Sequence, residues 1–470
     1  MKTTRVPPGS AFDPALRRIS LAVVLGTVMT ILDATIVNVA VNVLGRELDT
    51  SLGTIQWVIT GYTLALSMTI PITGWAMERF GAKAIWITSL ALFLAGSALC
   101  GAAWSPGSLI AFRVLQGVGG GLLMPVAQTM LARAAGPERM GRVMAVISIP
   151  AMLAPALGPV AGGLLLDRLP WRWMFYVNVP VCAVALVLAV RLLPRDVERR
   201  PDSRLDGLGL ALLSPGLAAL VYGLSQVGED TAGTRALVSL TLGVLLVAAF
   251  VAHSLRSPGR ALLDVRLFGD RSFAASAATL FFYSVAVFGV MLLVPLYAQA
   301  VAGAGALEAG LLMAPMGVGA IITMPVAGRL TDRLGPYRPG IAGILAVLAG
   351  MAACTRIDAS TGTAPLAAAL LVIGLGHGLV TPSIMAAAYR TLPRTAAPAA
   401  ATASQIVIRV GSALGAAILA VVLQTLTRSN GAGARAFTGS FWWALGIGAL
   451  TLVPALLIPR RSGPAGETAG

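Results

Sequence analysis

Long apolar runs separated by short basic stretches fill the chain from Ile19 to Ile458. A helix needs about 20 apolar residues to cross a bilayer. On that measure fourteen spans are predicted, at about 19–43, 54–76, 84–104, 108–131, 141–166, 173–193, 205–226, 235–254, 272–299, 306–328, 338–356, 364–388, 399–425 and 439–458. A charged linker, Arg195 to Arg204, follows the sixth span. A basic loop with Arg256, Arg260, Arg266 and Arg271 follows the eighth.

Composition agrees with an all-α polytopic membrane protein. The 470 residues are 57% hydrophobic and 11% charged, against about 25% charged in a soluble domain. A net charge of +15 would suit nucleic acid. Here the basic residues lie in loops between spans, which points instead to the cytoplasmic lipid surface and excludes a nucleic-acid partner. With the amino terminus inside, cytoplasmic segments carry 25 Lys and Arg and the opposite side carries 7. Both termini are therefore expected in the cytoplasm of a bacterial cell membrane, with no cleaved signal peptide. Cys100, Cys182 and Cys354 sit in or beside apolar runs and suggest no disulfide framework.

An internal repeat is legible. Gly74, Glu78, Arg79 and Gly81 after span two recur as Gly328, Asp332, Arg333 and Gly335 after span ten, 254 residues later. Gly117, Gly119, Gly121, Pro125 and Arg133 of span four recur as Gly374, Gly376, Gly378, Pro382 and Arg390 of span twelve, at an offset of 257. The expected organisation is a six-helix bundle over 1–194, a linker with two inserted spans over 195–271, and a second six-helix bundle with a tail over 272–470.

Asp33 is the one ionisable side chain between Arg18 and Arg46. A carboxylate in mid-membrane costs roughly 2.5–3.5 kcal/mol on insertion scales and usually marks a proton or substrate path. The rest of the chain is expected to enclose it in a closable, water-accessible cavity; simple pairing with a neighbour is the alternative. Arg113 is the one charge between Lys83 and Arg133. It either snorkels to the outer interface or turns inward to tune Asp33. Gln116 and Gly117 share its helical face.

These residues resemble the major facilitator superfamily. The resemblance lies in the acidic-Arg-x-Gly turns, in Arg113, Gln116 and Gly117, and in Gly158, Pro159, Gly162 and Gly163. The stretch around Asp33 and the inserted pair are similar to its fourteen-span drug:proton antiporter branch. The resemblance implies the major facilitator fold and a proton-coupling role for Asp33 and Arg113. It also implies a gating latch made by Gly74, Glu78, Arg79, Gly81 and Lys83 with Asp332 and Arg333, although a purely topogenic turn fits the same residues. Pro155, Gly158, Pro159, Gly162 and Gly163 resemble an antiporter element; the second copy lacks it.

Amides and aromatics in apolar walls suit amphiphilic ligands. Asn38, Asn42, Gln56, Trp57, Tyr62, Gln128, Asn178, Phe281, Tyr283, Tyr297, Gln299, His377 and Gln405 are candidates for lining a cavity. His377 is read first as a satisfied interior group and Arg409 as snorkelling towards the cytoplasm. Glu78 is expected to cap or bridge, and Arg79 and Lys83 to face lipid headgroups. No P-loop, metal-ligand cluster or nucleophile constellation occurs, so neither an enzyme nor a bound cofactor is expected. A proton gradient would supply the energy. The expectation is a monomeric proton-coupled exporter of small apolar or amphiphilic molecules working by alternating access. A dedicated antibiotic or metabolite exporter, a lipid translocase and a non-transporting sensor are the alternatives.

Overall fold

A computed structural model describes residues 14–135, 139–194, 202–227, 233–257, 259, 261–357, 362–430 and 433–459. Most of the charged linker, including Glu198 and Arg199, lies outside the described residues, as do the side chains of Asn38, Asn42, Pro155 and Pro159.

The helices are α1 (Pro14–Val39), α2 (Leu52–Thr69, continued by Ile70–Ile72 and Thr73–Phe80), α3 (Ala82–Gly101), α4 (Pro106–Ala135), α5 (Met140–Arg168) and α6 (Asn178–Leu192). Then come α7 (Gly207–Gln226), α8 (Gly233–Arg256), α9 (Arg271–Ala300), α10 (Ala314–Leu334, preceded by Ala306–Leu311), α11 (Tyr337–Cys354), α12 (Thr363–Arg390), α13 (Ala397–Asn430) and α14 (Ala434–Leu450). Among the described residues 13 helices are long and apolar enough to cross a membrane. The 29-residue α5 is a further helix of spanning length. No water is available in lipid to satisfy backbone groups, so each apolar run closes its own hydrogen bonds as a helix.

The repeat seen in sequence is a repeat in space. Gly81 and Gly335 end the matching helices α2 and α10 at φ 93° and 81°, a region that a Cβ disfavours. The glycines of α4 and α12 follow the same logic. Gly117 lies against the Tyr62 carbonyl of α2, and Gly374 against that of Met316 on α10, 254 residues on from Tyr62. Gly121 faces the carbonyl of Leu66, and Gly378 that of Ala320. With no lipid-phobic force between helices, association rests on such close backbone approach.

α7 and α8 pair through Gly216, Gly223 and Gly243, each too close to its neighbours for a Cβ without adjustment. α7 docks on α2: the Ser214 hydroxyl donates to the Met68 carbonyl at 2.7 Å, and Trp57 stacks on Tyr222 at 5.8 Å. α8 turns Leu237, Val238, Leu242, Val244 and Leu245 outward as a lipid-type face.

α5 packs on α10 and α12, and α13 packs on α4 and the end of α2. These contacts join the two repeats. At the basic face the Gly141 amide of α5 donates to Asp332 Oδ1 at 3.0 Å. Arg142 Nε approaches Asp332 Oδ2 at 3.0 Å as an ion pair, without hydrogen-bond alignment. Gly74 lies against Thr402 and the Pro398 backbone of α13. The repeats are thus locked together at this end.

Candidate functional site

Asp33 sits on α1, wholly buried. Its Oδ2 accepts from Arg113 Nη1 at 2.5 Å. Its Oδ1 accepts from Gln116 Nε2 at 3.0 Å and Asn178 Nδ2 at 2.7 Å. α4 carries Arg113 and Gln116 three residues apart, so one helical face delivers both. Arg113 Nη1 also donates to Gln116 Oε1 at 2.7 Å, and Nε donates to the Val58 carbonyl of α2 at 3.2 Å. Asn178 opens α6 and donates as well to Ser97 Oγ of α3 at 2.9 Å; Ser97 in turn donates to the Phe175 carbonyl at 2.9 Å.

Aromatic rings close the site. The guanidinium carbon lies 4.1 Å from the Tyr62 ring centroid and 5.8 Å from that of Phe175. A cation over an aromatic face is worth more when water is excluded. The Tyr62 hydroxyl points at the Thr30 carbonyl, 3.5 Å away.

The expected water-accessible acid is therefore corrected for this conformation: Asp33 has 0% of its surface exposed. Three donors occupy its two oxygens and two rings cover its cation, leaving no face for water. Arg113 is turned inward and does not snorkel. Chemically, the pair can hold one charge of each sign in a dry site, and a proton on Asp33 would compete directly with the Arg113 bond.

Gly158 of α5 lies against Thr35, two residues beyond Asp33, closer than a Cβ allows. The antiporter-like stretch thus touches the helix that carries the acid. Gly162 is buried, and Gly163 faces open space.

In the second repeat, Tyr283 Oη and His377 Nδ1 are 2.7 Å apart, and His377 Nε2 lies 3.1 Å from Thr381 Oγ1. With both ring nitrogens engaged, His377 is a satisfied interior group. Phe281 packs edge-on to Phe282 at 5.5 Å, and Tyr297 on Phe437 at 5.6 Å. Gln128 is buried, Gln405 half-buried, and Gln56, Trp57 and Gln299 exposed. Of the cavity candidates, Tyr62 and Asn178 join Asp33, and Tyr283 and His377 form a separate cluster.

Among the gating residues, Gly74 and Asp332 contact the opposite repeat, while Arg79 is half-exposed and Arg333 exposed. Lys83 differs from the headgroup contact expected of it. Its Nζ donates to the Val190 and Leu193 carbonyls at 2.9 and 2.7 Å, capping the carbonyls that end α6. Glu78 is half-buried and lines a basic-face cavity of about 1190 Å³ with Trp75, Asp206 and His253. There Trp75 Nε1 donates to the Ser203 carbonyl at 3.2 Å. Asp206 accepts from the Gly209 and Leu262 amides at 2.8 and 3.0 Å and lies 3.0 Å from His253 Nε2. Burial would raise the Asp206 carboxyl, but these hydrogen bonds and the His253 contact outweigh it and hold the group below the usual carboxylate range.

Sequence reasoning missed Ser97, and it missed Gly141 and Arg142 as partners of Asp332. The hydroxyl of Ser97 in an apolar run was the only available signal. Nothing local marks a backbone amide as a latch.

A polytopic helical membrane protein built from two repeats, with an ion pair sealed inside one of them, is the class this geometry defines. The family description "Major Facilitator Superfamily" matches residues 23–416. The chain belongs to the major facilitator superfamily. It is 39% identical over 417 residues to "Multidrug resistance protein B homolog" of Mycobacterium tuberculosis H37Rv, covering 87% of this chain and 77% of that one. It is 33% identical over 470 residues to "Puromycin resistance protein pur8" of Streptomyces alboniger, covering 95% and 92%. Among solved structures, the human organic anion transporter MFSD10 superposes with a TM-score of 0.65 at 18% identity, covering 95% of this chain and 100% of that one. That likeness shows the fold alone.

Proposed function

We propose that this protein exports small apolar or amphiphilic molecules in exchange for protons, with Asp33 as the proton carrier and Arg113 as its counter-charge. The buried Asp33–Arg113 pair carries the reading. Two relatives of high coverage are named for drug resistance, which supports export. The bundles at 1–194 and 272–470, with the inserted pair of 195–271 on one flank, would rock about a central site. Protons entering from outside would take Asp33 from Arg113 and favour release of the substrate there. Deprotonation towards the cytoplasm would restore the pair and permit reloading. Gly158 beside Thr35 would transmit that change to α5. Asp332 with Gly141 and Arg142 would hold the basic face shut while the other opens.

The same reading puts the protein in a bacterial cell membrane as a monomer with cytoplasmic termini. A proton gradient, with no cofactor, would drive it. The transmembrane potential supplies about 2.3 kcal/mol per charge per 100 mV.

Export of a single antibiotic is a second reading, favoured by the puromycin-resistance name of the relative with the fuller coverage. A resistance panel in an efflux-deficient host separates the two. Protection against several unrelated amphiphiles, abolished by an uncoupler, supports the broad reading. Protection against one compound supports the narrow one, and protection against none contradicts both.

A further inference from the structure

We infer that Arg409 is an anion-recognising group between the two repeats, so that the preferred cargo carries a carboxylate or similar anion; that the anion is carried across the membrane rests on the export reading above. Arg409 lies 12 residues into α13, or about 18 Å at the rise of an α-helix, well within hydrocarbon depth. Its helix packs on α4 and on the end of α2, both in the opposite repeat.

Its guanidinium has no counter-charge among the described residues. The ion pairs found there engage Arg113, Arg142 and His253. Arg409 Nε is buried without a hydrogen-bond partner, although the side chain as a whole is half-exposed. Asp33 is not at its disposal, because three donors already fill both carboxylate oxygens. The Asp33–Arg113 pair sums to zero, so it offers Arg409 no compensating charge. His377 is engaged through both ring nitrogens. On its own helix, Ser412 donates to the Arg409 carbonyl and leaves the guanidinium untouched.

An uncompensated charge at this depth is expensive. An arginine cannot relieve it by losing a proton. Its planar fork matches a carboxylate through two parallel hydrogen bonds. An unpaired cation within an apolar helix bundle fits an amphiphilic organic acid. It disfavours the organic cations often sought as cargo for drug exporters.

The test uses the purified full-length protein in detergent with 1-pyrenebutyrate and its methyl ester, which share a ring system and differ in charge. Fluorescence anisotropy should show the acid binding about tenfold or more tightly than the ester, the weight of one hydrogen bond to a charged group. Arg409→Gln should bring acid binding down to the ester's level and leave the ester unchanged; Arg409→Lys should keep part of the preference. Equal binding of acid and ester by the wild type, or a preference that survives Arg409→Gln, overturns the inference. If Arg409→Gln does not fold, the wild-type preference and the Lys variant still decide. Proton-driven flux of both probes in vesicles is read separately. Acid preference without flux contradicts export and leaves the anion site standing, whereas Arg409-independent flux of both probes does the reverse.

Discussion

The Asp33 carboxylate and the Arg113 guanidinium, 80 residues apart in the chain, meet at 2.5 Å in a place with no exposed surface on the acid. Neither residue could be held there by its own helix alone. The pair survives because Gln116, Asn178 and the Val58 carbonyl add hydrogen bonds to both partners. A buried pair of this kind is weak evidence for stability, but breaking it is costly. Removing one partner strands a charge in low dielectric.

Arg113→Ala should therefore destabilise the protein by about 3–5 kcal/mol, the range for orphaning a buried ion-pair partner. Arg113→Lys should fold better but lose the fork that spans Asp33, Gln116 and Val58. Thermal unfolding in detergent checks both. An Arg113→Ala melting temperature equal to the wild type would contradict the buried geometry.

Gly158→Val should push α5 away from Thr35 and lower the melting temperature, at the roughly 1–3 kcal/mol typical of overpacking. Gly163→Val, facing open space on the same helix, should be close to neutral. Equal effects at the two positions would show that the close approach of α1 and α5 is not what the glycine serves.

Asp332→Ala removes the acceptor of the Gly141 amide and the partner of Arg142. In a background without Cys100, Cys182 and Cys354, a cysteine placed at the buried Ala145 of α5 should then react several-fold faster with a hydrophilic maleimide. An unchanged rate would mean that the basic face is held shut by other contacts.

Asp206 caps α7 and ties it to the connector at Leu262. Because its folded-state carboxyl is lowered, its contribution is fully present above the ordinary carboxylate range and is lost as pH falls through the lowered value, below about pH 4. At neutral pH, Asp206→Ala should cost about 1 kcal/mol, the usual weight of an N-cap. Melting temperatures of wild type and variant should converge as the medium is acidified into that window. A gap that widens there would contradict the assignment.

The fold was largely legible because membrane helices declare themselves by length and apolarity. The repeat was legible too, because Gly81 and Gly335 are fixed by backbone conformation and Gly117 and Gly374 by helix contact, so the pairs recur at the near-equal offsets of 254 and 257. Asp33 and Arg113 stood out as charges where charges are expensive. Their partners did not: Asn178 and Ser97 are ordinary polar residues until α3 and α6 bring them to α1. Arg409 was read as snorkelling, and sequence alone gave no sign that its Nε is buried without a partner. Lys83 was given to the lipid for the same reason, and the three-dimensional course of α6 returned it to the protein.

The most direct measurement is substrate-induced proton flux in proteoliposomes carrying a pH-sensitive dye, with wild type beside Asp33→Asn. Asparagine fills the same space and cannot carry the proton, so coupled flux should vanish while substrate binding in detergent persists. Coupled flux of wild-type size in Asp33→Asn would contradict the account.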